Sequence, residues 1–259
     1  MRLISFHASD AEVRGILQDD YETLKAHKVR PALIICAGGA YRWRSPREKD
    51  PVAFEFLSMG FQVFILEYSC GEKAAGMRPL KELAEAVRTV RKNSTEWHIN
   101  PQQIAVLGFS AGGHLAASLG VYWNDAEIGG GEEVRPDALI LCYPVISTKE
   151  YAHEESAMWV SGNDPLLREK MHLPDHITED FPPVFMWHGG EDTSVPPENS
   201  LMLAVQLRKH HVPFEYHLFE TGVHGISMCT QEVETPDDVC RQWVPLCKTW
   251  ISRQFRYVP

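Results

Sequence analysis

The residues best placed to do chemistry begin with Gly108-Phe109-Ser110-Ala111-Gly112. A serine with glycine two positions to either side matches G-x-S-x-G. In that arrangement a tight strand-to-helix turn lifts a hydroxyl above a sheet. Side chains at positions 108 and 112 would collide across such a turn, and Gly113 lets the helix start close to the strand. The helix N-terminus would then aim its partial positive charge at a developing oxyanion. Gly108 to Gly113 fits neither phosphate-loop pattern, and no lysine follows to meet a phosphate.

A serine hydroxyl needs a base within hydrogen-bond reach and an acid behind that base. Two later stretches supply candidates: His188-Gly189-Gly190-Glu191-Asp192-Thr193-Ser194-Val195-Pro196 and Glu220-Thr221-Gly222-Val223-His224-Gly225. With the chain order nucleophile, acid, base, the reading is Ser110, Asp192 and His224, with Glu191 as the rival acid. Glycines on either side of His224 would let its ring swing over the serine. His188 is expected to hold the acid loop by hydrogen bonds, and His114 to pack or hydrogen-bond locally. The fourth stretch is Ala37-Gly38-Gly39-Ala40-Tyr41. Backbone N–H groups of Gly38, Gly39 and Ala111 are the expected donors to a tetrahedral oxyanion, each worth on the order of 3 kcal/mol of barrier.

These residues need a scaffold, and the hydrophobic pattern provides one. Near-continuous apolar runs at Ala32–Cys36, Gln62–Tyr68, Ile104–Gly108, Ala138–Tyr143, Val184–His188 and Phe214–Phe219 read as strands covered on both faces. Helical patterns fill the gaps at Pro51–Met59, Pro79–Lys92, Gly113–Val121, Glu198–His210 and Val239–Phe255. This alternation predicts an α/β fold: a doubly wound, mostly parallel sheet built from right-handed crossovers. The chain, 1–259, reads as a single domain. Ser147 to Pro183 interrupts the rhythm between the fourth and fifth clear strands and is expected to be a small cap insertion with short helices. Gly129-Gly130-Gly131 is expected to be a flexible loop.

Taken together, Ala-Gly-Gly-Ala-Tyr, Gly-Phe-Ser-Ala-Gly-Gly-His-Leu, His-Gly-Gly-Glu-Asp-Thr-Ser-Val-Pro and Val-His-Gly resemble the small esterase-lipase branch of the α/β-hydrolase fold. That branch includes acetyl esterases, acetylxylan esterases and feruloyl-esterase-like proteins. The resemblance runs from about Pro31 to the end, and Tyr41 to Glu48 is similar to compact bacterial members. Ala37 stands where the lipase-type pattern has histidine, and Ala40 where a third glycine is common. The resemblance implies hydrolysis of short-chain carboxylic esters, acetyl esters of carbohydrates among them, through an acyl-enzyme and without a cofactor. An amidase or formamidase and a general carboxylesterase are the enzymatic alternatives. A receptor-like relative that binds a small ligand is the non-enzymatic one.

Contacts to the substrate are expected from Tyr41, Trp43 and Trp159, whose aromatic faces suit sugar rings. Arg42, Arg44 and Arg47 would meet a substrate carboxylate or pair with Glu48 and Asp50. The net charge of -10 argues against nucleic acid and against an anionic membrane surface. The six cysteines form no C-x-x-C pair, and no H-E-x-x-H or regular carboxylate-histidine spacing suggests a metal. The first ten residues show neither an apolar core nor a cleavage site, which reads as a cytoplasmic protein. A homodimer is left open.

Overall fold

The computed structural model describes residues 1–20 and 28–258. Its centre is an eight-stranded sheet: β1 (Arg2–Ala8), β2 (Ala11–Leu17), β3 (Arg30–Cys36), β4 (Gln62–Glu67), β5 (Ile99–Phe109), β6 (Ala138–Cys142), β7 (Val184–Gly189) and β8 (Phe214–Phe219). The spatial order is β1-β2-β4-β3-β5-β6-β7-β8. From β4 to β8 every neighbouring pair is parallel. Only β1 with β2 and β2 with β4 are antiparallel.

Among the described residues, seven α-helices accompany the sheet: α1 (Asp50–Ser58), α2 (Arg78–Lys92), α3 (Ala111–Tyr122), α4 (Glu154–Ser161), α5 (Pro165–Lys170), α6 (Glu198–Lys209) and α7 (Trp243–Phe255). Strand side chains alternate between two cores. Ile34, Val106, Leu139 and Met186 join Leu83, Leu115 and Leu203 of α2, α3 and α6. Leu33, Leu107, Ile140 and Phe185 join Phe56 of α1 and Trp250 of α7. Both faces are therefore dry over β3, β4, β6 and β7, which is why these strands read as nearly unbroken apolar runs, while the edge strand β8 is half-exposed. Full burial of each such side chain contributes about 1.5–3 kcal/mol.

The parallel sheet agrees with the expectation; the β1–β2 hairpin was not anticipated. As an edge strand, β1 alternates exposed Leu3, Ser5 and partly buried Ile4, Phe6 rather than running apolar throughout. The two-residue turn between Ala8 and Ala11 carries Ser9 at φ 54° and no glycine, so the usual hairpin signature is missing. The segment between β6 and β7 contains α4, α5 and a 3₁₀ turn at Leu173–His176. The glycine run at 129–131 is a hydrogen-bonded corner rather than a loose loop: Gly130 N–H donates to Asp125 O at 2.9 Å and Gly131 N–H to Trp123 O at 2.8 Å. Among the described residues, no helix is long and apolar enough to cross a membrane.

Candidate active site

Ser110 stands between β5 and α3 with φ 52° and ψ -119°, a backbone conformation that a side-chain-bearing residue adopts only under constraint. The constraint is visible in the glycines. A Cβ on Gly108 would lie 2.1 Å from Gly112 O, and one on Gly112 would lie 2.1 Å from Cys36 O. Ser110 N–H donates to Cys142 O at 3.0 Å, and Ser110 O accepts from His114 N–H at 3.0 Å and Val145 N–H at 3.1 Å. The turn is thus pinned to the end of β6 and to the first turn of α3. Gly112→Ala forces a methyl into backbone and is expected to cost about 3 kcal/mol or more. At roughly 2–4 °C per kcal/mol for a chain of this size, thermal melting should show Tm lower by about 10 °C.

The loops leaving β7 and β8 touch through their own glycines. A Cβ on Gly189 would sit 2.2 Å from Gly222 O. Gly190 N–H donates to Phe219 O at 2.8 Å, and Glu191 N–H to Gly222 O at 3.2 Å. That contact carries Asp192 and His224 to one place. His224 Nδ1 lies 2.6 Å from Asp192 Oδ2, and His224 Nε2 lies 2.8 Å from Ser110 Oγ.

Asp192 is buried and fully engaged. Its Oδ1 accepts from Ser194 N–H at 3.0 Å and Val195 N–H at 2.9 Å. Its Oδ2 also meets His188 Nε2 at 3.2 Å. Burial alone would raise its pKa, but the hydrogen bonds from His188 and His224 and the neighbouring charge hold it down at about 2. His188, itself buried, bridges Asp192, Val195 O at 2.9 Å and Ser200 Oγ at 2.8 Å, so it fixes the acid loop. Glu191, the rival acid, is exposed, and among the described residues its carboxylate accepts only from Gly222 N–H at 3.3 Å.

Asp192 Oδ2 accepts from Nδ1 of His224, which leaves Nε2 free to accept from the serine hydroxyl. His114 lies apart from this line. Its Nδ1 meets Tyr41 Oη and its Nε2 meets Met171 O, both at 2.9 Å, and burial lowers its pKa to about 4.

Ser110 and His224 open onto a cavity of about 720 Å³. Gly39, Ala40 and Trp43 line it from the loop after β3, His153 and Glu155 from the start of α4, and Glu232 and Glu234 from the turn after His224. The inserted segment therefore forms part of the wall. His153 is half-buried, and its Nδ1 caps α4 by accepting from Ser156 N–H at 3.3 Å. Its pKa is lowered by burial and then by the nearby His224. Nothing in the sequence around His153 marked it out.

Three expected contacts need correction. Gly38 is not a free donor, because its N–H is already bonded to Glu48 Oε2 at 2.6 Å. Tyr41 is 1% exposed and turned inward onto His114, away from the cavity. Trp159, on α4, packs beside the core shared by α2, α3 and α6 and does not line the cavity. The remaining expected residues, Gly39, Trp43 and Ala111, lie at or beside Ser110's cavity: Gly39 and Trp43 line it, and Ala111 opens α3 directly after Ser110. Among the described residues, no acceptor is paired with the backbone N–H of Gly39, Ala40 or Ala111. The arginines take partners other than those expected. Arg42 pairs with Glu155 at 3.2 Å, Arg44 with Glu67 at 2.6 Å, and Arg47 faces Glu234 at 3.9 Å.

This sheet, with Ser110 in the turn after β5 and Asp192 and His224 in the loops after β7 and β8, is the α/β-hydrolase fold. The BD-FAE family model matches residues 19–207, and the chain belongs to that family. It is 33% identical over 212 residues to the endo-1,4-beta-xylanase B of Butyrivibrio fibrisolvens, covering 78% of this chain and 33% of that protein. It is 26% identical to an acetylxylan esterase of Xylanibacter ruminicola, covering 77% of this chain and 42% of that one. The chain thus spans less than half the length of these two curated relatives. Among solved structures, the acetyl ester-xyloside bifunctional hydrolase of Caldicellulosiruptor lactoaceticus superposes with a TM-score of 0.85 at 32% identity. That match covers 99% of this chain and 97% of the other.

Proposed function

We propose that this chain hydrolyses short-chain carboxylic esters, acetyl esters of carbohydrates in particular, with Ser110 as nucleophile, His224 as general base and Asp192 as the acid that orients it. The observation that carries the reading is the hydrogen-bonded line from Asp192 through His224 to Ser110, at 2.6 and 2.8 Å, ending in an open cavity. His224 takes the proton from Ser110 as Oγ attacks the ester carbonyl, and returns it to the leaving alcohol. Water activated by the same ring then releases the acid from the acyl-enzyme. The oxyanion is met by the N–H groups of Gly39 and Ala111, with that of Ala40 beside them. None of the three has an internal acceptor among the described residues.

The sugar part of the proposal rests on the wall. Trp43 is 54% exposed and shares the cavity with Arg47, Glu155, Glu232 and Glu234. An aromatic face ringed by hydrogen-bonding side chains suits a pyranose. Through Pro51 and Glu232 the cavity adjoins a recess of about 260 Å³ lined by Phe54 and Met228, which leaves room for a leaving group longer than one ring. The relatives' names, an acetylxylan esterase and an acetyl ester-xyloside hydrolase, point the same way.

The test is a series of p-nitrophenyl esters, acetate to octanoate, run beside acetylated xylo-oligosaccharides. Fastest turnover on acetate with release of acetate from the sugar is expected. A maximum at longer chains with no sugar deacetylation would contradict the substrate assignment. On the oligosaccharide, Trp43→Ala should raise KM roughly tenfold, the scale of one lost aromatic stacking contact. The same variant should leave p-nitrophenyl acetate kinetics within about twofold.

A further inference from the structure

Glu48 ends a short 3₁₀ turn, Pro46–Glu48, just before α1, and only 2% of it is exposed. A carboxylate is seldom withdrawn from water unless charge-assisted hydrogen bonds replace the lost hydration. Glu48 has two. Its Oε2 accepts from Gly38 N–H at 2.6 Å, and its Oε1 accepts from Tyr143 O–H at 2.7 Å. Tyr143, at the end of β6, accepts in turn from Ser227 N–H at 2.8 Å. The Ser227 hydroxyl donates to Arg47 O at 2.7 Å, and Trp243 Nε1 donates to Ser227 O at 3.0 Å.

The bonds close a ring. It runs from Glu48 through Tyr143 to Ser227, three residues beyond His224, and back through Arg47 to Glu48. One arm leaves the ring to grip Gly38, next to Gly39. The space at Gly38 is shared with the nucleophile, since a Cβ there would lie 2.9 Å from both Glu48 Oε2 and Ser110 Cβ. Tyr143 also packs edge-on against His224, with centroids 5.1 Å apart. Burial pushes the Glu48 carboxyl above its ordinary pKa. The hydrogen bonds from Tyr143 and Gly38 and the charges of His224 and Arg47 pull the other way.

We propose that Glu48 is a positioning residue for the hydrolysis. Its carboxylate clamps Gly38 so that the amides of Gly39 and Ala40 are held at Ser110. Through Tyr143 and Ser227 it ties that loop to the segment carrying His224. The inference rests on the esterase reading of the same site. It assigns a role to a buried carboxylate that takes no part in the proton transfers.

The full-length protein and its Glu48→Gln and Glu48→Ala variants are compared on p-nitrophenyl acetate. Thermal melting and binding of a phenylboronic acid, which forms a tetrahedral anion on an activated serine, are measured alongside. Glu48→Gln keeps an acceptor for Gly38 N–H but loses the charge, and kcat should fall roughly tenfold with KM within about twofold. Glu48→Ala frees the loop, and kcat should fall on the order of 10²-fold, the scale of a lost oxyanion donor. Boronate affinity should fall in step with kcat/KM, which a change in stability alone would not produce. Should Glu48→Ala fail to fold, Glu48→Gln and Tyr143→Phe carry the test, both with lowered kcat and unchanged KM. Folded variants with wild-type kcat and boronate affinity would overturn the role of Glu48 and leave the esterase reading standing. A wild-type protein without ester turnover would overturn both.

Discussion

Ser110→Ala is expected to reduce ester hydrolysis to near background, a loss on the order of 10⁶ in kcat when a serine nucleophile acts with its base as a unit. Ser110 Oγ is the hydroxyl that His224 Nε2 contacts, at 2.8 Å. On the proposed reading its removal takes away both the nucleophile and the proton that the base must accept. The fold should survive. The turn is held by glycine packing and by the backbone bonds of Ser110, all of which alanine retains. Losing one buried hydrogen bond costs about 1 kcal/mol, so Tm should move by no more than about 4 °C. Residual activity above water, roughly 10³-fold, would be the share of the oxyanion donors and binding. A variant that keeps even a tenth of wild-type activity would place the nucleophile elsewhere.

The second large effect is expected at Asp192, the proposed acid. Asp192→Asn should lower kcat by roughly 10⁴, the magnitude known for the equivalent change in a serine-protease triad. The local hydrogen bonds explain why. Asp192 Oδ1 is committed to two backbone N–H donors, so an asparagine oxygen will occupy that position. Its NH₂ group must then face His224 Nδ1, where it can only donate. The imidazole is driven to the tautomer with its proton on Nε2, and that nitrogen can no longer accept from Ser110. The NH₂ group would also oppose His188, which needs an acceptor there. A loss of less than tenfold would shift the role to Glu191.

The depressed pKa of Asp192 also fixes a sign in acid. The folded value of about 2 lies below an unfolded value near 3.9. Its contribution to stability, about 2–3 kcal/mol, is therefore present above roughly pH 4. It is lost as pH falls towards 2. Urea midpoints between pH 5 and pH 2.5 should fall in the wild type, and should fall less in Asp192→Asn.

Much of this site could be read from the chain because its demands are local. Gly108, Gly112 and Gly113 sit within one turn of Ser110, and the clash at Gly108 is with Gly112 itself, while Gly112 also needs room beside Cys36 O and Gly113 beside Pro144. Asp192 follows β7, whose apolar run is unbroken because both sheet faces are covered there, and His224 follows β8, the half-exposed edge strand beside it. What escaped depends on contacts between distant segments. The fate of Gly38 N–H is decided by Glu48, ten residues later and buried by the fold. Tyr41 looked like a site aromatic, but the backbone turns left-handed at Ala40 and Tyr41, with φ of 57° and 60°, and delivers the ring to His114. His153 reaches the cavity only because α4 folds back over it. The β1–β2 hairpin escaped because edge strands alternate and its turn has no glycine.

The central claim, an activated serine at position 110, is tested most directly by labelling. The protein would be treated with a fluorophosphonate probe and the adduct located by peptide mass spectrometry. A single adduct on Ser110, absent from Ser110→Ala and strongly slowed in Asp192→Asn, is the predicted result. No adduct, or an adduct on another residue that persists in Ser110→Ala, would contradict the account.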